Sequence, residues 1–109
     1  MFVEIMEDRD SAVIHMNCNV INAANADMLF KQVQSSLSRK LNTIINLHSV
    51  GLMDSSGLGF LINCYKKIKE NGGTMKLVAS NPIVLTLLEL VSFKTVSEVH
   101  TNLEDAFRR

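Results

Sequence analysis

Two short apolar runs, "NTIINL" at 42–47 and "TMKLVAS" at 74–80, are separated by a long amphipathic stretch. Within it Leu58, Leu61, Ile62, Tyr65 and Ile68 trace a helical stripe, and Lys66, Lys67, Lys69 and Glu70 lie largely off that stripe. The two isoleucines of the first run are β-branched and suit a buried strand. A strand, a helix and a further strand in this order predict a parallel pair with a helical crossover. "ENGGT" ends the helix, because Gly72 or Gly73 can take the left-handed conformation a C-cap needs.

The same grammar extends along the chain. "FVEI" at 2–5 alternates weakly and reads as an edge strand; "AVIHM" at 12–16 reads as a half-buried one, after a polar turn at 8–11. Residues 17–25 are rich in asparagine, which favours turns and caps. Ala26, Leu29, Phe30, Val33 and Leu37 then fall on one helical face, with Asn22 or Asn25 as its cap. Asn81 followed by Pro82 opens a third helix, with Val84, Leu87, Leu88 and Val91 as its stripe. "KTVSEVH" at 94–100 is expected as the last strand, and Thr101 with Glu104 as the capping box of a short final helix. The expected order is ββαβαβαβα: one α/β domain over 1–109, with a mixed, mainly parallel β-sheet packed with α-helices.

Composition narrows the function classes. The chain has 109 residues, and its 11 Lys and Arg balance its 11 Asp and Glu. A formal charge of zero argues against nucleic acid or an anionic membrane as the main partner. No tract reaches the length that spans a bilayer, and the opening "MFVEIMEDRD" lacks the basic start of a secretory signal. Cys18 and Cys64 stand apart, outside any C-x-x-C spacing, and are expected to be reduced thiols. A cytoplasmic protein is the expectation.

The remaining chemistry converges on "LMDSSGLG" at 52–59. Asp54, Ser55 and Ser56 fall where the middle helix should begin, and Asp and Ser are good N-caps. The helix start carries about half a positive charge and favours an anion nearby. Gly57 and Gly59 each cost about 1 kcal/mol inside a helix relative to alanine. Glycines there leave the helix end uncovered, so another surface can approach the backbone and a serine hydroxyl stays accessible. A well-capped helix with tightly packed glycines would account for the run without any further function. Met53 abuts Asp54 and is a candidate adaptable contact for a partner.

Other constellations are weaker. Ser55 and His48 lack a G-x-S-x-G elbow and an orienting acid, so hydrolysis is not expected. His15, His48 and His100 share no metal-ligand spacing, and neither "GLGF" nor "NGGT" forms a phosphate-binding loop. No cofactor or metal is expected. The lysines at 66, 67 and 69 read as a solvated helix face, and the methionines as mostly core.

"LMDSSGLGFLINCYKKIKENGGTMKLV" resembles the signature stretch of the STAS domain of anti-sigma factor antagonists: apolar strand, D-S-[ST/A]-G-L-G, amphipathic helix, Gly-Gly turn, apolar strand. "VINAANADML" resembles the family's loop-to-helix segment, and "SNPIVLTLLELVSF" its helix after the fourth strand. The resemblance implies a bacterial interaction module rather than an enzyme. Its unphosphorylated form would bind an anti-sigma factor of the serine-kinase type and free a sigma factor. Phosphorylation of Ser55, or as second choice Ser56, would break that complex, and a phosphatase would reset it. The implied docking surface takes in Asn22, Met53, Asp54, Ser55, Ser56, Gly57 and Leu58. The chain departs from the family where Asn22 stands for a usual Asp, where Ile45-Asn46-Leu47 stands for L-D-L, and where Asn19 or Cys18 stands for a usual Gly. Two lost acids lend weight to an alternative: a phosphorylation-independent subunit of a lipid-transport ATPase complex, or a signalling scaffold.

Overall fold

A computed structural model describes residues 2–39 and 41–108. Its main sheet has five strands: β1 (Val3–Glu7), β2 (Ser11–Met16), β4 (Asn42–Asn46), β6 (Thr74–Val78) and β7 (Glu98–His100), side by side in that order. β1 pairs antiparallel with β2, and the other three pairings are parallel. Two further strands of two residues each, β3 (Val20–Ile21) and β5 (Leu52–Met53), pair parallel in a sheet of their own. The helices are α1 (Ala26–Leu37), α2 (Ser55–Glu70), α3 (Pro82–Leu90) and α4 (Leu103–Phe107). Apart from β3 and β5 the order is ββαβαβαβα, as the periodicity predicts.

One sheet face carries Ile14, Met16, Ile45, Met75 and Leu77. They pack with Leu29, Val33 and Leu37 of α1, Phe60, Leu61, Cys64 and Ile68 of α2, and Val84 and Leu88 of α3 in one continuous core. On the opposite face α4 packs against the β4–β7 side, with Ala106 on Ile44 and Val78, while Met6 of β1 stays exposed. Consecutive residues of β4, Thr43, Ile44 and Ile45, are therefore buried on alternate faces. That explains the unbroken apolar run of a central strand. Lys76 fastens α4 by donating from Nζ to the carbonyls of Ala106 (3.1 Å) and Arg108 (3.0 Å).

Several local expectations change. β1 runs to Glu7, where its carboxylate accepts from Ser36 Oγ at the end of α1 (2.5 Å) and pairs with Arg39. The expected strand at 94–100 is divided: Phe93–Thr95 is a 3₁₀ turn, and only Glu98–His100 pairs with β6. Ser92, with φ 54°, turns the chain at that point, and Phe93 drops into the core at 2% exposure. A large buried aromatic outweighs the strand propensity of its neighbours. The final helix is capped by Asn102, not Thr101, with Oδ1 accepting from the Asp105 N–H at 2.8 Å. Val91 was expected in the α3 stripe but is exposed. Of the methionines, Met6 and Met28 are also exposed rather than core. The α2 terminus is resolved in favour of Gly72, which takes φ 78°; Gly73 is buried against the Leu41 carbonyl instead.

Candidate functional site

The chain leaves β4, bends through 47–51, pairs as β5, and enters α2 at Ser55. This places the start of α2 at the carboxyl end of the parallel strands, the side of an α/β sheet where sites form. Asp54 is the N-cap in extended conformation, and one carboxylate oxygen, Oδ1, accepts from both the Ser56 N–H (2.9 Å) and the Gly57 N–H (3.1 Å). Such a cap stabilises a helix by about 1 kcal/mol. Ser55 follows at the first helical position and is exposed; Ser56 is half-buried. The hydroxyl that the sequence singles out is therefore accessible, on the end of a sixteen-residue helix whose other face is locked in the core.

The neighbouring loop is joined to this helix start by the β3–β5 pairing. Val20 lies opposite Leu52, and Ile21 opposite Met53. The Asn19 carbonyl accepts from the N–H groups of Gly51 (2.8 Å) and Leu52 (3.1 Å), and the Ile21 carbonyl accepts from the Asp54 N–H (3.4 Å). Asn22 comes next in the chain, so it is held beside Asp54. It is half-buried, and its Oδ1 accepts from the Ala24 N–H at 2.9 Å. Asn25 precedes α1 without capping it through its side chain. Instead Asn25 accepts from the Asn22 N–H (2.9 Å) and donates to the Val20 carbonyl (2.8 Å), which makes the loop a small rigid box.

Two expected contact residues are corrected by their burial. Met53 is 5% exposed, because its side chain turns into the core while Leu52, at 53%, turns out. Gly57 is also buried: a Cβ there would meet Met53 Cγ at 2.2 Å and the Ile21 carbonyl oxygen at 2.7 Å. The close approach that Gly57 permits is thus made by the chain's own β3 segment. Gly59 has no atom within 4 Å of the equivalent point, so the open approach belongs to it. Leu58 is half-buried and packs against the core. Leu52 is the residue that sequence reasoning missed; nothing in a two-residue strand distinguishes its inward from its outward side chain.

The other asparagine departure also has a structural use. Asn46 donates from Nδ2 to His15 Nδ1 (2.9 Å), and its Oδ1 accepts from the His48 N–H (3.0 Å). His48 is exposed, and its Nδ1 is engaged with Ser80 Oγ at 2.6 Å. Its near partner is thus Ser80, not Ser55. Cys18 and Cys64 are free thiols, and burial pushes both up in pKa, Cys64 far more than Cys18. A separate cleft of about 620 Å³ opens at the amino ends of the parallel strands, among Asp8, Ser11, Asn42, Lys76 and Phe107. It lies at the opposite pole from Ser55. None of the described helices is long and apolar enough to cross a membrane.

The fold and this elbow define a small α/β module that presents a rigid, capped helix start beside an asparagine loop. The chain belongs to the STAS domain family, whose model matches residues 4–106. It is 26% identical over 102 residues to the anti-sigma F factor antagonist of Paenibacillus polymyxa, covering 92% of this chain and 86% of that protein. Its fold is similar to the crystal structure of an anti-sigma factor antagonist from Mycobacterium paratuberculosis, with a TM-score of 0.84 and 20% identity, covering 95% of this chain and 88% of that one. It is also similar to the Bacillus cell fate determinant SpoIIAA in its phosphorylated form, with a TM-score of 0.67 and 16% identity, covering 94% of this chain and 95% of that one.

Proposed function

We propose that this protein is an anti-sigma factor antagonist that docks through the start of α2 and is switched off by phosphorylation of Ser55. The observation that carries the proposal is an exposed serine directly after a carboxylate-capped helix start, on a helix held rigid by its buried face. Its partner is an anti-sigma factor of the serine-kinase type in the cytoplasm, and a phosphatase restores the free hydroxyl. The transfer itself belongs to the kinase: Oγ loses its proton and takes the γ-phosphoryl of ATP, and ADP leaves. Docking draws on Ser55, Ser56, Asn22 and the exposed Leu52.

A phosphate adds about −1.5 to −2 charges and three acceptor oxygens. The helix terminus tolerates that anion, whereas a docked interface meets its desolvation cost. Fold and binding therefore respond differently to one modification. Asn22 and Asn46, which stand where the family usually has Asp, each make hydrogen bonds that order the scaffold. The test is mutational. Ser55→Ala retains binding to the anti-sigma factor and takes up no phosphate, and Ser55→Asp binds more weakly. Equal binding by both variants would overturn the switch. Recovery of a transporter ATPase in a pull-down, with no phospho-form in cells, would favour a constitutive subunit instead.

A further inference from the structure

We propose that the cleft at the amino ends of the parallel strands binds a linear polyamine, a chain of ammonium groups joined by methylene spacers. The cleft lies between the sheet and α4, at the opposite pole from Ser55, and does not depend on the role of that serine. Its volume of about 620 Å³ is in the range of small-molecule sites. The floor is apolar, since Ile44 and Ala106 are both buried there. Phe107 stands at one side with 58% of its surface exposed, so an aromatic face is free for a ligand.

The charges that border the cleft select a cation. Asp8, Asp10 and Glu98 set three carboxylates against one ammonium, that of Lys76; Arg9 of the same turn does not line the cleft. Lys76 is already engaged, because Nζ donates to the carbonyls of Ala106 and Arg108 and lies 3.8 Å from Glu98. The carboxylates keep free oxygens. Asp8 accepts from the Asp10 N–H, the Ser11 N–H and the Ser11 hydroxyl through Oδ1 alone. Glu98 meets His100 and Lys76 through Oε1 alone. The Asp10 N–H beside Asp8, and His100 beside Glu98, hold both carboxyls below their ordinary pKa, so both are charged at neutral pH. The acids are not gathered for a metal: no group of three His, Cys, Asp or Glu among the described residues is placed to hold one. Asp8 and Asp10 precede β2, and Glu98 opens β7, three inter-strand steps or about 14 Å across the sheet. Anions that far apart, with an apolar floor and an aromatic ring between them, match ammonium groups spaced along methylenes.

The test titrates the full chain with spermine, putrescine and a twelve-carbon α,ω-diamine by calorimetry, and locates the site by amide NMR. Spermine and the long diamine bind saturably. The long diamine binds about fivefold more tightly than putrescine, which carries the same charge but is too short to span the cleft. Amide shifts gather at 8–11, 42–44, 74–76 and 106–107 and spare 52–58. Asp10→Asn, Glu98→Gln and Phe107→Ser each weaken spermine by about three- to fivefold. Asp27→Asn, which removes an exposed acid in the first turn of α1 near the other pole, leaves spermine binding unchanged. All four positions are exposed, and thermal melting checks that each variant is folded. Absence of saturable spermine binding would overturn the proposal. So would equal affinity for the two diamines, or an equal loss in Asp27→Asn, since either would mark a diffuse negative field instead of a site.

Discussion

The carbonyl oxygen of Ile21 lies 2.7 Å from the point where a Cβ on Gly57 would sit. This contact explains a glycine that helix propensity disfavours. Ile21 carries the loop that ends in Asn22, and Gly57 is in the first turn of α2. Met53 Cγ would lie closer still, at 2.2 Å, so a buried side chain and a backbone carbonyl both oppose a methyl group there. Gly57→Ala is expected to destabilise the fold by about 1–3 kcal/mol. Gly59→Ala meets nothing within 4 Å and is expected to stabilise it by up to about 1 kcal/mol. Urea unfolding of the two variants checks the contrast; equal effects would refute the packing account.

Leu52 and Met53 form a second pair with opposite expected outcomes. Met53 is buried among core residues, so Met53→Ala should cost about 2–3 kcal/mol. Leu52 is half exposed, so Leu52→Ser should change stability by no more than about 0.5 kcal/mol. As a docking contact, the same Leu52→Ser change should weaken the anti-sigma complex by about tenfold or more. Calorimetric titration with the partner, alongside thermal melting, separates the two effects.

Cys64 gives the fold an alkaline limit. Burial raises its pKa far above the ordinary value of 9.0 that the unfolded chain shows. Below that value both states hold the thiol proton, and the contribution is fully present. As pH rises past about 9 toward the folded pKa, the unfolded chain loses the proton first, and stability falls by about 1.4 kcal/mol per pH unit. Unfolding free energies from pH 8 upward should therefore fall less steeply in Cys64→Ala than in the native protein. Parallel curves would show that the buried thiol has no such role.

Thr43 offers a stabilising change. It is buried in the central strand at 2% exposure, and its Oγ1 has no hydrogen-bond partner among the described residues. Valine has nearly the same shape without the hydroxyl. Thr43→Val should raise the unfolding free energy by about 1 kcal/mol, as a rise in the urea midpoint with unchanged slope. A fall would mean that the hydroxyl is solvated or bonded in solution.

Much of the scaffold was legible because its signals are local. The stripe of α2, the Asn81–Pro82 start of α3 and the apolar run of β4 each need only neighbouring residues to be read. The serine at the helix start was legible for the same reason. β3 and β5 were not, since a two-residue strand has no period and exists only through its partner. The sidedness of Leu52 and Met53 follows from that pairing. The boundary of the last strand escaped because burial of Phe93 and the left-handed turn at Ser92 override local propensity.

The amino-acid order alone thus determined an alternating α/β chain with a capped, hydroxyl-bearing helix start. Hydrophobic periodicity and capping act over a few residues, and no distant contact is needed to express them. Only the tertiary structure decided that Asn22 lies beside Asp54, that Gly57 is sealed by Ile21, and that Leu52 rather than Met53 faces outward. Those relationships join segments some thirty residues apart, through a backbone pairing that forms only once the larger sheet has brought both ends together.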